Sequence, residues 1–121
     1  MVGASRTFTA LDRVRGGLKF EAWFGISGTA PSALLADPRY PASPDLLAYI
    51  TQFTSRLVFA DAASMENYGG RMSGWIVPSE TAEYEFFIRS DDGSQLSLST
   101  DADPANATII ASEAEIGRAH V

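Results

Sequence analysis

Alternation of apolar and polar side chains is the strongest local signal along the chain. Leu18, Phe20, Ala22 and Phe24 face one way across 18–24, the period-two signature of a half-buried strand. Gly25 and Gly28 end it. Ala30 to Asp37 has room for a helical turn, with Pro31 suited to a first-turn position, and Pro38, Pro41 and Pro44 forbid regular structure until Leu46. A second strand fits Leu47 to Phe53, with Arg56 to Phe59 extending it or pairing with it, and Asp61 to Asn67 reads as a loop or short helical turn. Gly70 to Val77 reads as a strand stopped by Pro78. Glu83 to Arg89 alternates, with Tyr84, Phe86 and Ile88 inward and Glu83, Glu85 and Arg89 outward. Asp91-Asp92-Gly93 is a tight turn, and Gln95 to Ser99 returns from it as the second arm of a hairpin, Leu96 and Leu98 inward. Asp101 to Asn106 is a polar turn and Thr108 to Ala111 a further strand. Short strands joined by turns, with no long amphipathic helix, predict an all-β fold: an antiparallel β-sandwich or barrel.

Composition narrows what such a fold can do. At 121 residues, 45% hydrophobic and 20% charged, the chain is of single-domain size and can bury a core without staples. It has no Cys, hence no thiol nucleophile, thiolate metal site or disulfide, and its lone His120 stands beside the end of the sequence, which excludes a His-based triad within a folded core. Nine basic residues against 15 acidic ones give a net charge of −6, which argues against nucleic-acid partners. No apolar run is long enough for membrane insertion, and Met1 to Gly17 does not read as a signal peptide. With no nucleophile–base pair and no closed metal site, the sequence reads as non-enzymatic.

Residues 1–16 are expected to be a linker or arm, and 17–115 the domain. Residues 116–121 break off the preceding pattern. One back-translation of them, ATC GGA AGA GCA CAC GTC, resembles a common sequencing adapter followed by a stop, so a non-native tail is expected there.

Several polar groupings invite a chemical reading. Asp101, Asp103 and Asn106 open like an EF-hand loop, but position six is Asn106 rather than Gly and position twelve is Ser112 rather than Glu; a polar turn with Pro104 fixing φ is the expectation. Asn106-Ala107-Thr108 fits a glycosylation sequon. Glu83 and Glu85 stand two apart on one strand face, about 6.6–6.8 Å by strand geometry, yet they alternate with Tyr84 and Phe86 as a solvated face does. Trp23, Tyr68 and Trp75 have the aromatic faces that stack on sugar rings, a role that competes with core packing.

Asn67-Tyr68-Gly69-Gly70-Arg71-Met72-Ser73-Gly74-Trp75 with Pro78, then Tyr84-Glu85-Phe86-Phe87-Ile88, Ser90-Asp91-Asp92-Gly93 and Leu96-Ser97-Leu98, together resemble the protective-antigen-type (PA-14) domain. Gly17-Leu18, Trp23, Gly25 to Thr29, Asp37-Pro38 to Pro44-Asp45 and Ser99 to Asn106 are similar to a bacterial subgroup of it, so the resemblance runs from about 17 to 113. It implies a β-sandwich module of secreted or cell-surface proteins, among them adhesins, glycosidases, proteases and toxins. In flocculin-like members paired Asp residues hold Ca²⁺, which in turn holds sugar hydroxyls. Carried over, Asp91 and Asp92 are the metal ligands and ligand-binding residues, with Trp75, from its aromatic face, the further ligand-binding candidate. Ca²⁺ wants six to eight oxygens, and an extended pair of side chains points apart; a cis Asp91–Asp92 bond, as in those lectins, would bring them together. The family's second loop and closing strands are missing from this sequence. The expected function is a non-catalytic carbohydrate-binding or adhesion module, with glycans and the parent protein's neighbouring domains as partners. A structural or protein-interaction spacer, or an accessory domain of a glycoside hydrolase or other extracellular enzyme, are the alternatives.

Overall fold

A computed structural model describes residues 17–59 and 66–114. The expectations for 1–16 and 116–121, and most of the Asp61–Asn67 loop, lie outside them. The described residues form antiparallel sheet with little helix, as the strand-and-turn pattern predicts: β1 (Leu18–Phe24), α1 (Pro31–Leu35), β2 (Leu46–Ile50), β3 (Tyr68–Ser73), β4 (Ser94–Leu98) and β5 (Thr108–Glu113), with 3₁₀ turns at Ser55–Leu57 and Pro104–Asn106. They fall into two compact units, one holding 17–28 with Ser32–Gly74, the other Thr29–Pro31 with 75–114.

The first unit is a three-stranded sheet in the order β2-β1-β3. Leu18 faces Ile50 and Ala22 faces Leu46 across one seam; Lys19 faces Ser73 and Phe24 faces Tyr68 across the other. One face of β1, carrying Leu18, Phe20 and Ala22, packs with Ile50 and with the partly buried Phe24, Leu46, Val58, Phe59, Tyr68 and Met72. Phe59 stands edge-on to both Phe20 and Tyr68, a favoured geometry for ring quadrupoles. The half-buried strand expected here needs correction. As the central strand of its sheet, β1 is covered on both sides, and its other face buries Glu21 at 5% exposure and Trp23 at 0%. Trp23 packs with Ile26 and Leu34 and with the partly buried Ala33 and Tyr40.

That second cover is seated by glycine. Leu34 of α1 lies where a Cβ on Gly69 would stand, 2.9 Å away, while a Cβ on neighbouring Gly70 would meet the Phe20 ring at 3.2 Å on the other side. The two residues alternate faces as strand geometry requires, so β3 admits close neighbours on both. β1 ends at Gly25, whose φ of +72° is a conformation L side chains rarely take.

Boundaries moved where pairing partners ran out. The expected 70–77 strand is laddered only as Tyr68–Ser73, because Lys19, next to the first residue of β1, is already opposite Ser73. The second strand stops at Ile50 rather than Phe53, and Arg56 to Phe59, expected to extend or pair with it, instead open as the 3₁₀ turn Ser55–Leu57, capped by the Thr54 hydroxyl, which accepts from Arg56 N.

In the second unit β4 pairs with β5, from Ser94 opposite Glu113 to Leu98 opposite Thr108. Leu96 pairs with Ala111 and Ser97 with Ile109, leaving Ile110 as the extra residue of a β-bulge. The expected hairpin between 83–89 and 95–99 is therefore not the one formed: β4 takes its ladder from β5, and 82–90 runs without ladder bonds. Phe86 and Ile88 are half-buried, as their inward positions predict, but Tyr84 is exposed.

Candidate functional site

Asp91 and Asp92 occupy a bend whose geometry comes from its neighbours. The Ser90 hydroxyl donates to the carbonyl of Asp92 and lies 2.7 Å from the Ser94 hydroxyl. Gly93 N donates to Thr29 O at 2.7 Å. A Cβ on Gly93 would stand 2.8 Å from that oxygen and 2.9 Å from Pro31 Cδ, so only glycine allows the chain to approach this closely. The bend is thus held to Thr29–Pro31 by its third residue while Asp91 and Asp92 stay exposed.

The bond expected to bring the carboxylates together, a cis Asp91–Asp92 peptide, is not formed; the described cis bond is Tyr40–Pro41. Both residues lie in a bend rather than a strand. As a donor set the pair offers hard, charged oxygens suited to Ca²⁺. Among the described residues no group of three or more His, Cys, Asp or Glu side chains is placed to hold a metal, so further oxygens would have to be carbonyls, waters or a ligand's own hydroxyls. Trp75 follows β3 in the same unit as the bend, with its indole half exposed.

The remaining sequence candidates separate cleanly. Glu83 and Glu85 are exposed. Trp23 is no ligand platform: it is buried, donates Nε1–H to Arg39 O at 3.2 Å, and packs tilted against Tyr40, ring centres 5.0 Å apart. Tyr68 packs on Phe59. The Asp101 loop spends its oxygens on itself. Asp101 Oδ1 accepts from Asp103 N at 2.8 Å and from the Ser99 hydroxyl, and its Oδ2 from the Asn106 amide at 2.9 Å. These bonds, the Asp103 N–H foremost, hold its carboxyl below the ordinary value. Asp103 caps the next turn by accepting from Ala105 N.

Two polar constellations went unforeseen. Glu21 Oε1 accepts from Arg71 Nε at 3.0 Å and Nη2 at 2.7 Å across the β1–β3 seam, and Arg71 Nη1 donates to the Tyr40 hydroxyl at 3.4 Å. The guanidinium also lies 5.3 Å from the Tyr40 ring centre and 5.8 Å from that of Trp23, within cation–π range. Burial pulls the Arg71 pKa down, but the bonds to Glu21 and Tyr40 outweigh it and raise the group above its ordinary value. Beside it, Arg39 grips both oxygens of Asp37, Asp45 Oδ2 at 2.8 Å and the carbonyl of Phe24, while Asp45 Oδ2 also accepts from Phe24 N. The side-chain bond from Arg39 is the main reason the Asp37 carboxyl sits below its ordinary value. One signal in the sequence pointed here: Glu21 shares its face with Trp23, and a tryptophan on that face requires a cover over it.

No protein-family model and no solved structure matches the sequence. Among curated proteins, the chain is similar to an N-acetyl-beta-glucosaminyl-glycoprotein 4-beta-N-acetylgalactosaminyltransferase 1 of Mus musculus, 32% identical over 92 residues. The match takes in 76% of this chain and spans 8% of that protein's length.

Proposed function

We propose that the chain is a non-catalytic carbohydrate-binding module of the protective-antigen type, a β-sandwich within a larger secreted or cell-surface protein, with Asp91 and Asp92 as the cation-holding pair and Trp75 as a stacking surface. The observation that carries this reading is the bend itself: two adjacent, exposed Asp residues on a turn whose Gly93 is closely packed and hydrogen-bonded to Thr29. Support also comes from the similar protein, whose name describes transfer of a sugar to a glycoprotein glycan and of which this sequence spans a small part. Fold alone does not assign function, so the reading rests on the site.

The test is calcium titration of the chain, followed by thermal unfolding and glycan-array binding with and without chelator. A cation bound only by the native state raises stability by RT ln(1 + [L]/Kd), about 2.7 kcal/mol at a hundredfold excess over Kd. Calcium is expected to raise Tm and switch on array binding in the wild type and in neither Asp91→Asn nor Asp92→Asn. A chain indifferent to calcium, with Asp92→Asn altering stability alone, overturns the cation site and leaves a spacer domain.

A further inference from the structure

We propose that the part of the first sheet centred on Tyr49 is a subsite for a saccharide bearing a carboxylate. The proposal rests on the carbohydrate-binding reading but uses different residues. Residues directly opposite one another in neighbouring strands share a face. The register therefore sets Tyr49, Lys19 and Ser73 in one row and Leu47, Glu21 and Arg71 in the next. One row further along, Trp23 is covered by α1 and Tyr40, whereas Tyr49 is left 75% exposed and Leu47 54%. The exposed Tyr49 ring offers the apolar surface that the C–H face of a pyranose needs.

Charge selects among ligands with such a face. Arg71 meets Glu21 with two N–H groups at 3.0 and 2.7 Å, while Lys19 Nζ stays 3.8 Å from the other oxygen, beyond hydrogen-bonding distance. These two rows thus hold two cations against one carboxylate: Arg71 makes the hydrogen bonds to Glu21, and Lys19, 40% exposed, ion-pairs with its other oxygen at 3.8 Å, which leaves a net charge of +1 beside Tyr49. In a chain of net charge −6, a locally positive patch favours an anionic group. A uronic-acid residue would lay its ring on Tyr49 with its carboxylate towards Lys19 and a hydroxyl towards Ser73. A neutral sugar would use only the ring, and a simple anion only the ammonium.

Lys19 is the sole lysine in the sequence, so isotope-labelled dimethylation, which keeps the charge, gives one lysine resonance to follow. The full chain is titrated in chelator with a hyaluronan tetrasaccharide and, separately, with neutral chitotetraose. The acidic probe is expected to shift the Lys19 signal saturably and to bind at least about tenfold more tightly than the neutral one. Tyr49→Ala should weaken it about tenfold or more with Tm unchanged, Tyr49→Phe should retain it, Lys19→Gln should abolish the preference for acid, and Asp92→Asn should change nothing. Equal binding of the two probes, no saturable shift, an unaffected Tyr49→Ala, or self-association through this face that Tyr49→Ala abolishes would each overturn the proposal. Because the titration is run in chelator, its failure leaves the Asp91–Asp92 test standing, and success here stands without calcium.

Discussion

In the first unit β1 has a strand on either side and a cover over each face; in the second, β4 has the single ladder partner β5. All the buried core residues among those described lie between Leu18 and Ile50. The second unit carries Trp75, Val77, Tyr84, Phe87, Ile109 and Ile110 with much of their surface in solvent. Similar alternating sequences have thus met different fates, and the difference is the number of neighbours. A central strand acquires covers for both faces, and a polar residue such as Glu21 can be buried there because its cross-strand neighbour Arg71 answers it. In the ribbon, order comes from turn chemistry, with Ser90, Asp101 and Asp103 binding nearby backbone groups, the use to which such side chains are best suited. A two-stranded ribbon is marginal by itself in water. The buried core therefore sits in the first unit, while the second leaves most of its large apolar side chains in solvent.

The sharpest probe of that contrast is Arg71→Met against Phe87→Ala. The first removes the hydrogen-bonded partner of the buried Glu21 carboxylate, leaving only Lys19 at 3.8 Å, and should cost about 3 kcal/mol, the lower end for such pairs because Arg71 is partly exposed; the second removes a side chain 84% exposed and should stay within about 0.5 kcal/mol. Urea unfolding followed by far-ultraviolet circular dichroism distinguishes them, and equal losses would erase the contrast. Next in size, Gly93→Ala forces a Cβ against Thr29 O and Pro31 and should cost about 1–3 kcal/mol. A heteronuclear NMR comparison should place the accompanying shifts around Thr29–Pro31 and 90–94 and leave β1 unmoved.

Acid titration should show the smallest effect. The Asp37 and Asp101 carboxyls both lie below their ordinary values when folded, so the unfolded chain binds more protons and stability falls as pH drops. Their contribution is present above the ordinary 3.8 and is lost as pH falls through it to the lower folded values. Asp37→Asn and Asp101→Asn should each flatten that slope in stability curves measured from neutral to acid pH. An unchanged slope would detach the Arg39 grip, or the Asp101 turn, from stability.

Much of this was legible in the sequence. Apolar alternation located β1 and β4, a short strand was read at Thr108–Ala111 where β5 forms, proline spacing located the break before β2, and Asp-Pro-Ala-Asn marked its turn. What could not be read was partner choice. Alternation says that 83–89 is extended and which positions face inward; it does not say whether β4 will take its ladder from that segment or from β5. Nor does it say that a Glu among apolar neighbours will be buried, since that depends on an arginine fifty residues away. Of the candidate site, the Asp pair was readable as a turn, but the attachment of Gly93 to Thr29 joins segments with no shared local pattern.

The bare backbone at Gly69 and Gly70 has an evolutionary corollary. Leu34 stands against Gly69 and Phe20 against Gly70, on opposite faces, so a methyl at the first would displace Leu34 and one at the second would crowd the Phe20 ring. Neither layer can be redesigned to tolerate both changes at once. Saturation mutagenesis should find this dipeptide among the least permissive stretches of the chain, though it carries no chemistry of its own.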